Sequence, residues 1–117
     1  MQKPIIWLGR SLKELRRMPD DVKDEIGYAL YRVQMGGTPK IATQMKGYLS
    51  EVMELHVDEG GDTYRTMYTV KLQGLVYVLD AFKKKAKRGR ETPRADLERV
   101  RQRLKLARQH YQSLPED

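Results

Sequence analysis

The chain of 117 residues contains no cysteine and only two histidines. It therefore has no thiolate nucleophile and no disulfide, and too few soft or imidazole ligands for a tetrahedral structural zinc. Phenylalanine and tryptophan occur once each. Long hydrophobic runs are missing as well: Gly74-Leu75-Val76-Tyr77-Val78-Leu79 is among the longest, far short of the roughly 20 residues that a membrane span needs. No signal-peptide pattern opens the chain. These absences predict a cytoplasmic protein with no membrane association, no cofactor and no metal. A single domain over 1–117 is expected, because chains above about 70–80 residues can bury enough apolar surface to fold without staples.

What is abundant is positive charge, and it is concentrated. The net charge is +7, yet residues 1–82 hold 11 basic and 11 acidic side chains, whereas 83–108 hold 12 basic and 3 acidic ones. A segment of this kind is the electrostatic footprint of a polyanion partner, either nucleic acid or an acidic protein.

The hydrophobic pattern divides the chain into alternating elements. Pro4-Ile5-Ile6-Trp7-Leu8 is β-branched and aromatic and predicts a first strand ending at Gly9. Ser11 and Glu14 have capping-box spacing for a short helix to about Arg17. Pro19, Asp20 and Asp21 open a second helix, whose apolar stripe is Val22, Ile26, Ala29, Leu30 and Val33 and which stops at Gly36-Gly37. Three strands follow, Glu51 to Val57, Tyr64 to Leu72 and Leu75 to Phe82, separated by turn signals at Glu59-Gly60-Gly61-Asp62 and Gln73-Gly74. Thr92 as N-cap and Pro93 at the first helical position begin the last helix, with Leu97, Val100, Leu104, Ala107 and Tyr111 as its apolar stripe. The expected fold is α+β: a small, mostly antiparallel sheet in the order β-α-α-β-β-β-α, two helices on one face and a C-terminal helix near the other face or an edge. Tyr28, Tyr31 and Tyr48 have the chemistry of base-stacking platforms, but at helical and turn positions they are read as packing residues.

Strand alternation puts Met53, Leu55 and Val57 on a core face and leaves Glu54, His56, Arg65, Asp80 and Lys84 together on the opposite, solvated one. An acid, an imidazole and two cations can cleave an RNA phosphodiester through its own 2′-hydroxyl without a metal. The reaction needs a proton acceptor, charge for the phosphorane-like transition state and a donor to the leaving 5′-oxygen. Glu54 or His56 would serve as base, Arg65 as a phosphate fork, and Lys84 as a source of charge or of a proton. The competing reading is a plain cross-strand ion pair between Glu54 and Arg65. An exposed Arg65 would be replaceable without harm to the fold. Lys83, Lys85, Lys87, Arg88 and Arg90 read as an RNA-binding loop that grips backbone phosphates.

Several motifs together resemble the phage-derived branch of the RelE/HigB toxins, within the RelE/ParE superfamily. They are Trp7-Leu8-Gly9-Arg10-Ser11-Leu12, Met18-Pro19, Ile26-Gly27-Tyr28-Ala29-Leu30 with Gln34-x-Gly36, and Glu54-Leu55 followed by Tyr64-Arg65-x-x-Tyr68. The closing stretch from Ala81-Phe82-Lys83-Lys84-Lys85-Ala86-Lys87-Arg88-Gly89 to Thr92-Pro93, then Arg103-Leu104-Lys105, completes the resemblance, which runs from about Ile5 to Arg108. It implies a RelE-like fold and a type II toxin: a metal-independent endoribonuclease that cleaves mRNA on the ribosome, inhibits translation and is blocked by a helix-turn-helix antitoxin. Glu54, Arg65, Tyr68, Phe82, Lys84 and Lys85 fall on the recurring motif, while Ala86 stands where that branch often has a hydroxyl residue. Relatives often carry a histidine or tyrosine near the C-terminus as acid or base, and the nearest residues of those types here are His110 and Tyr111. Two other functions fit parts of the pattern. A ParE-like gyrase inhibitor shares the fold but needs no Arg65 and Lys84 around a phosphate, and a noncatalytic nucleic-acid-binding module needs only the basic segment.

Overall fold

The computed structural model describes residues 2–84 and 92–116. Of the basic loop, Lys85, Lys87, Arg88 and Arg90 lie outside the described residues. The elements are β1 (Ile5–Trp7), α1 (Ser11–Arg16), α2 (Asp20–Gln34), β2 (Ala42–Gln44), a 3-10 turn (Gly47–Leu49), β3 (Met53–Glu59), β4 (Asp62–Thr69), β5 (Val76–Lys84) and α3 (Arg94–Ser113). The expected order is present, with β2 as an additional short strand. The sheet runs β1-β5-β4-β3-β2, antiparallel except for the edge pair of β1 with β5. Gly60 and Gly61 close the β3–β4 hairpin in two residues with φ of 60° and 84°, the geometry that favours paired glycines.

Both faces of the sheet are core, where strand alternation predicts only one. On the first, Val22, Ile26, Ala29, Leu30 and Val33 of α2 and Leu15 of α1 pack on Leu55, Val57, Tyr64, Tyr68, Val76, Val78 and Ala81. On the second, Val100, Leu104 and Ala107 of α3 pack on Val52, Met67, Tyr77 and Leu79. The face expected to be solvated is thus roofed by α3. Simple alternation also fails along β5. Met67 pairs with Asp80 and Tyr68 with Val78, so Leu79 is an extra residue. A bulge of this type shifts the alternation by one. Tyr77 and Leu79 therefore join Asp80 on the α3 side, while Val76, Val78 and Ala81 fill the α2 side.

Local capping differs from expectation at two helices. Ser11 begins α1 but its hydroxyl donates to Val78 O at 3.3 Å, crossing to the sheet instead of capping, and Glu14 pairs with Arg10 and Arg17. Pro93, not Thr92, occupies the N-cap position of α3. Tyr28, Tyr31 and Tyr48 are exposed and are not packing residues.

The α3 helix is held by charge as well as by its stripe. Asp80, 3% exposed, accepts hydrogen bonds from Arg99 Nε at 2.8 Å and Arg103 Nη1 at 3.0 Å, and Arg103 Nη1 also reaches Leu79 O at 3.0 Å. Burial pushes the Asp80 carboxyl up, against the opposing pull of the two guanidiniums. Arg103 reaches this position by crossing Gly9. A β-carbon on Gly9 would stand 2.5 Å from the Arg103 Cζ, and Gly9 has φ of 54°. Gly9→Ala should therefore lower stability by roughly 1–3 kcal/mol, from left-handed strain and from displacement of a clamped guanidinium. Urea unfolding measures the loss, and an unchanged midpoint would contradict the clamp.

Candidate functional site

The β3–β4 hairpin sets His56 opposite Arg65 and Glu54 opposite Met67, so the three predicted groups share the α3 face. Arg65 Nη1 donates to Glu54 Oε2 at 2.5 Å, with side chains only 4% and 8% exposed. The pair is therefore buried, in contrast to the wet surface pair expected from alternation alone. Its depth comes from α3: the Thr92 hydroxyl accepts from Arg65 Nη1 at 3.1 Å and donates to Glu54 Oε2 at 3.4 Å. Thr92, read from sequence as a cap, instead ties the start of α3 to the ion pair.

Above this pair lies a cleft of about 610 Å³, walled by β2 and the 3-10 turn on one side and by the start of α3 on the other. Glu54, His56, Arg65 and Thr92 line it, together with Gln44, Met45, Lys46, Tyr48 and Leu97. His56 is about one-third exposed, and its Nε2 is 3.0 Å from Asp58 Oδ1, to which the Thr63 hydroxyl also donates at 2.7 Å. These two contacts, the Thr63 bond first, hold the Asp58 carboxyl below its ordinary 3.8. A neutral His56 that donates from Nε2 carries its lone pair on Nδ1, the form suited to accepting a proton. Asp58 was legible in principle, lying two residues beyond His56 on the same strand face. The cleft wall formed by 43–49 had no such signal.

The remaining predicted residues divide between the faces. Lys84 is buried at the end of β5 opposite Thr63, on the same face, but among the described residues it does not line the cleft. Asp80 belongs to the α3 clamp. Lys83 points by register to the other side, pairs with Asp62 at 3.2 Å and is half-exposed. Phe82 lies under the Arg99 guanidinium, 5.6 Å from its ring centroid. His110 is bound to Tyr77 and Tyr111 to Gln73 O, so both are placed on the C-terminal half of α3, outside the cleft lining. Tyr68 is 2% exposed in the α2-side core, as its parity predicts, and burial raises its phenol to about 12.

This geometry is open to two tests. Glu54→Ala leaves a guanidinium in the interior without its carboxylate and should cost about 3–5 kcal/mol, whereas replacing both partners, Glu54→Leu with Arg65→Met, should cost much less. Equal losses in urea unfolding would show that the pair is not desolvated. For Tyr68, a phenol raised from 10 to about 12 in the folded chain contributes stability that is present below pH 10 and lost as pH rises through 12. The stability difference between the protein and Tyr68→Phe should therefore change by about 2 kcal/mol between these limits, against the protein. A constant difference would place the phenol in water.

Among the described residues no helix is long and apolar enough to cross a membrane. No curated protein sequence matches the chain. The structure is similar to an arginine-substituted mutant of Escherichia coli toxin RelE in its free state, with a TM-score of 0.65 and 18% identity, covering 89% of this chain and 99% of that one. The isolated E. coli RelE toxin gives 0.56 and 20%, covering 86% and 97%. The toxin-antitoxin complex RelBE2 from Mycobacterium tuberculosis gives 0.50 and 11%, covering 69% and 96%. The fold is therefore that of RelE, as the motifs implied. Residues 13–105 match the family model described as phage derived protein Gp49-like (DUF891), a span that includes both walls of the cleft and the Glu54–Arg65 pair, and the chain belongs to that family.

Proposed function

We propose that the protein is the toxin of a type II toxin-antitoxin system and acts as a metal-independent endoribonuclease on ribosome-bound mRNA. The observation that carries this reading is a buried Arg65–Glu54 pair at the floor of an open cleft, beside a histidine whose second nitrogen is engaged by an aspartate. A guanidinium already fixed by a carboxylate needs no reorganisation when charge develops on a phosphate, which is the condition for large transition-state stabilisation. In this scheme Arg65 stabilises the phosphorane-like oxygens and Glu54 holds it. His56, oriented by Asp58, accepts the 2′-hydroxyl proton as the 2′-oxygen bonds to phosphorus and the bond to the 5′-oxygen breaks; the leaving 5′-oxygen takes its proton from water, and Lys84 adds positive potential from the same face. Lys83, Lys85, Lys87, Arg88 and Arg90 supply the backbone contacts that the charge count favours.

Few acid and base groups converge on the cleft, which favours a substrate delivered in a fixed geometry by the ribosome. Such a reaction places the protein in the cytoplasm with translating ribosomes, and a helix-turn-helix antitoxin is its expected inhibitor.

The test is induced expression with mapping of RNA ends, joined to cleavage assays with and without ribosomes. Cuts within translated codons, and cleavage only when ribosomes are present, are expected. Arg65→Lys keeps a cation for Glu54 but loses the planar fork, so it should remain folded and cleave about 10²–10³-fold more slowly. DNA damage with intact mRNA would contradict the proposal, and so would full activity in Arg65→Lys.

A further inference from the structure

Neither the core nor the reaction accounts for Tyr48, which, unlike the exposed Tyr28 and Tyr31, borders the cleft. It lies on the 3-10 turn Gly47–Leu49, which is held from below by Leu49, 2% exposed in the α3-side core, and by backbone bonds from Ser50 N to Gly47 O and from Val52 N to Leu49 O. The turn is fixed, yet it presents the Tyr48 ring at 66% exposure. That ring lines two grooves at once. One is the cleft over Glu54, His56 and Arg65. The other, of about 590 Å³, runs along the outer face of α3 past Arg101, Lys105 and Arg108.

The three cations follow helical spacing of four and three residues, so they form one row about 10 Å long, given a rise of 1.5 Å per residue. The row begins at the tyrosine, where the Arg101 guanidinium lies 5.9 Å from the ring centroid. Arg101 also pairs with Glu98, and Arg108 with Glu51, but all four side chains are substantially exposed. Exposed pairs of this kind are weak and exchange readily for a phosphate. Arg99 and Arg103, by contrast, turn inward to Asp80. The helix therefore separates its arginines into an inner set anchored to the buried Asp80 and an outer set engaged in exposed ion pairs.

An exposed aromatic face at the mouth of a groove followed by a row of cations is the arrangement that binds single-stranded nucleic acid, through base stacking and backbone attraction. An acidic peptide would use the cations but would leave the ring without a role. We propose that Tyr48 is a stacking platform on which single-stranded RNA turns from the outer groove into the cleft, with Arg101, Lys105 and Arg108 holding phosphates beyond the stacked base. This assignment rests on the reading of the cleft as an RNA-cleaving site, and it adds where the flanking nucleotide is held.

Fluorescence anisotropy on the full chain tests it with a short single-stranded RNA whose 2′-hydroxyls are all methylated, so that binding is read without cleavage. Tyr48→Ala should weaken binding about 5- to 150-fold, while Tyr48→Phe should stay within about twofold. Arg101→Gln with Lys105→Gln should lower the slope of log affinity against log salt by about 1.4, at roughly 0.7 for each phosphate that is no longer neutralised. A folded Tyr48→Ala variant that binds like the parent would overturn the proposal, as would a parent with no saturable binding. If the double glutamine variant loses an acidic peptide as much as RNA while Tyr48→Ala loses neither, the face is a protein-docking surface and the proposal fails. Tyr48-dependent binding by a protein that leaves ribosome-bound mRNA intact would support the track and reject the nuclease reading. Normal cleavage and binding by Tyr48→Ala would do the reverse.

Discussion

A charged side chain in a protein interior must keep a partner of opposite sign within hydrogen-bond reach, because the cost of desolvating it alone exceeds what any neighbouring contact returns. This chain buries Glu54, Arg65, Asp80 and Lys84 on one face of one sheet, each less than a tenth exposed. Much of the architecture meets that constraint. Arg65 draws Glu54 from β3 and Thr92 from the start of α3. Asp80 draws Arg99 and Arg103 from further along the same helix. The helix is thus fixed at two places by polar contacts and between them by Val100, Leu104 and Ala107. Its narrow apolar stripe does not have to determine the docking angle by itself.

The same contacts turn a sheet face into a site. If α3 were lifted away, Glu54 and Arg65 would form an ordinary wet pair of little energetic consequence. With α3 docked, the pair lies at the base of a cleft, where a fixed guanidinium acts on a bound anion through a low local dielectric. The bulge at Leu79–Asp80 contributes directly. By shifting the alternation of β5 it lets Leu79 pack under α3 while Asp80, the next residue, receives the two arginines.

Much of this was legible in the residues, for identifiable reasons. The stripe Val22, Ile26, Ala29, Leu30, Val33 has helical period, and all five are buried in α2. Alternation in β3 and β4 was enough to bring Glu54, His56 and Arg65 together, since cross-strand neighbours share a face. The bulge was not legible, because an inserted residue has no signature in an apolar run such as Val76 to Leu79. Burial of the site was not legible either: helical spacing sets Arg101, Lys105 and Arg108 away from the apolar stripe, but it does not tell that Arg99 and Arg103 reach a carboxylate on the sheet or that Thr92 reaches the Glu54–Arg65 pair. Thr92-Pro93 looked like a cap because that dipeptide commonly is one. Here the hydroxyl is drawn one contact further, to a buried charge.

The central claim is that Glu54 and Arg65 act as one unit, a guanidinium held in place for a reacting phosphate. A double-mutant cycle of Glu54→Gln and Arg65→Lys, read on single-turnover cleavage of ribosome-bound mRNA, tests it most directly. If the pair is one unit, each single substitution slows cleavage and the double variant is little slower than the worse single one. Losses that simply multiply would show two residues acting independently, and would contradict the account.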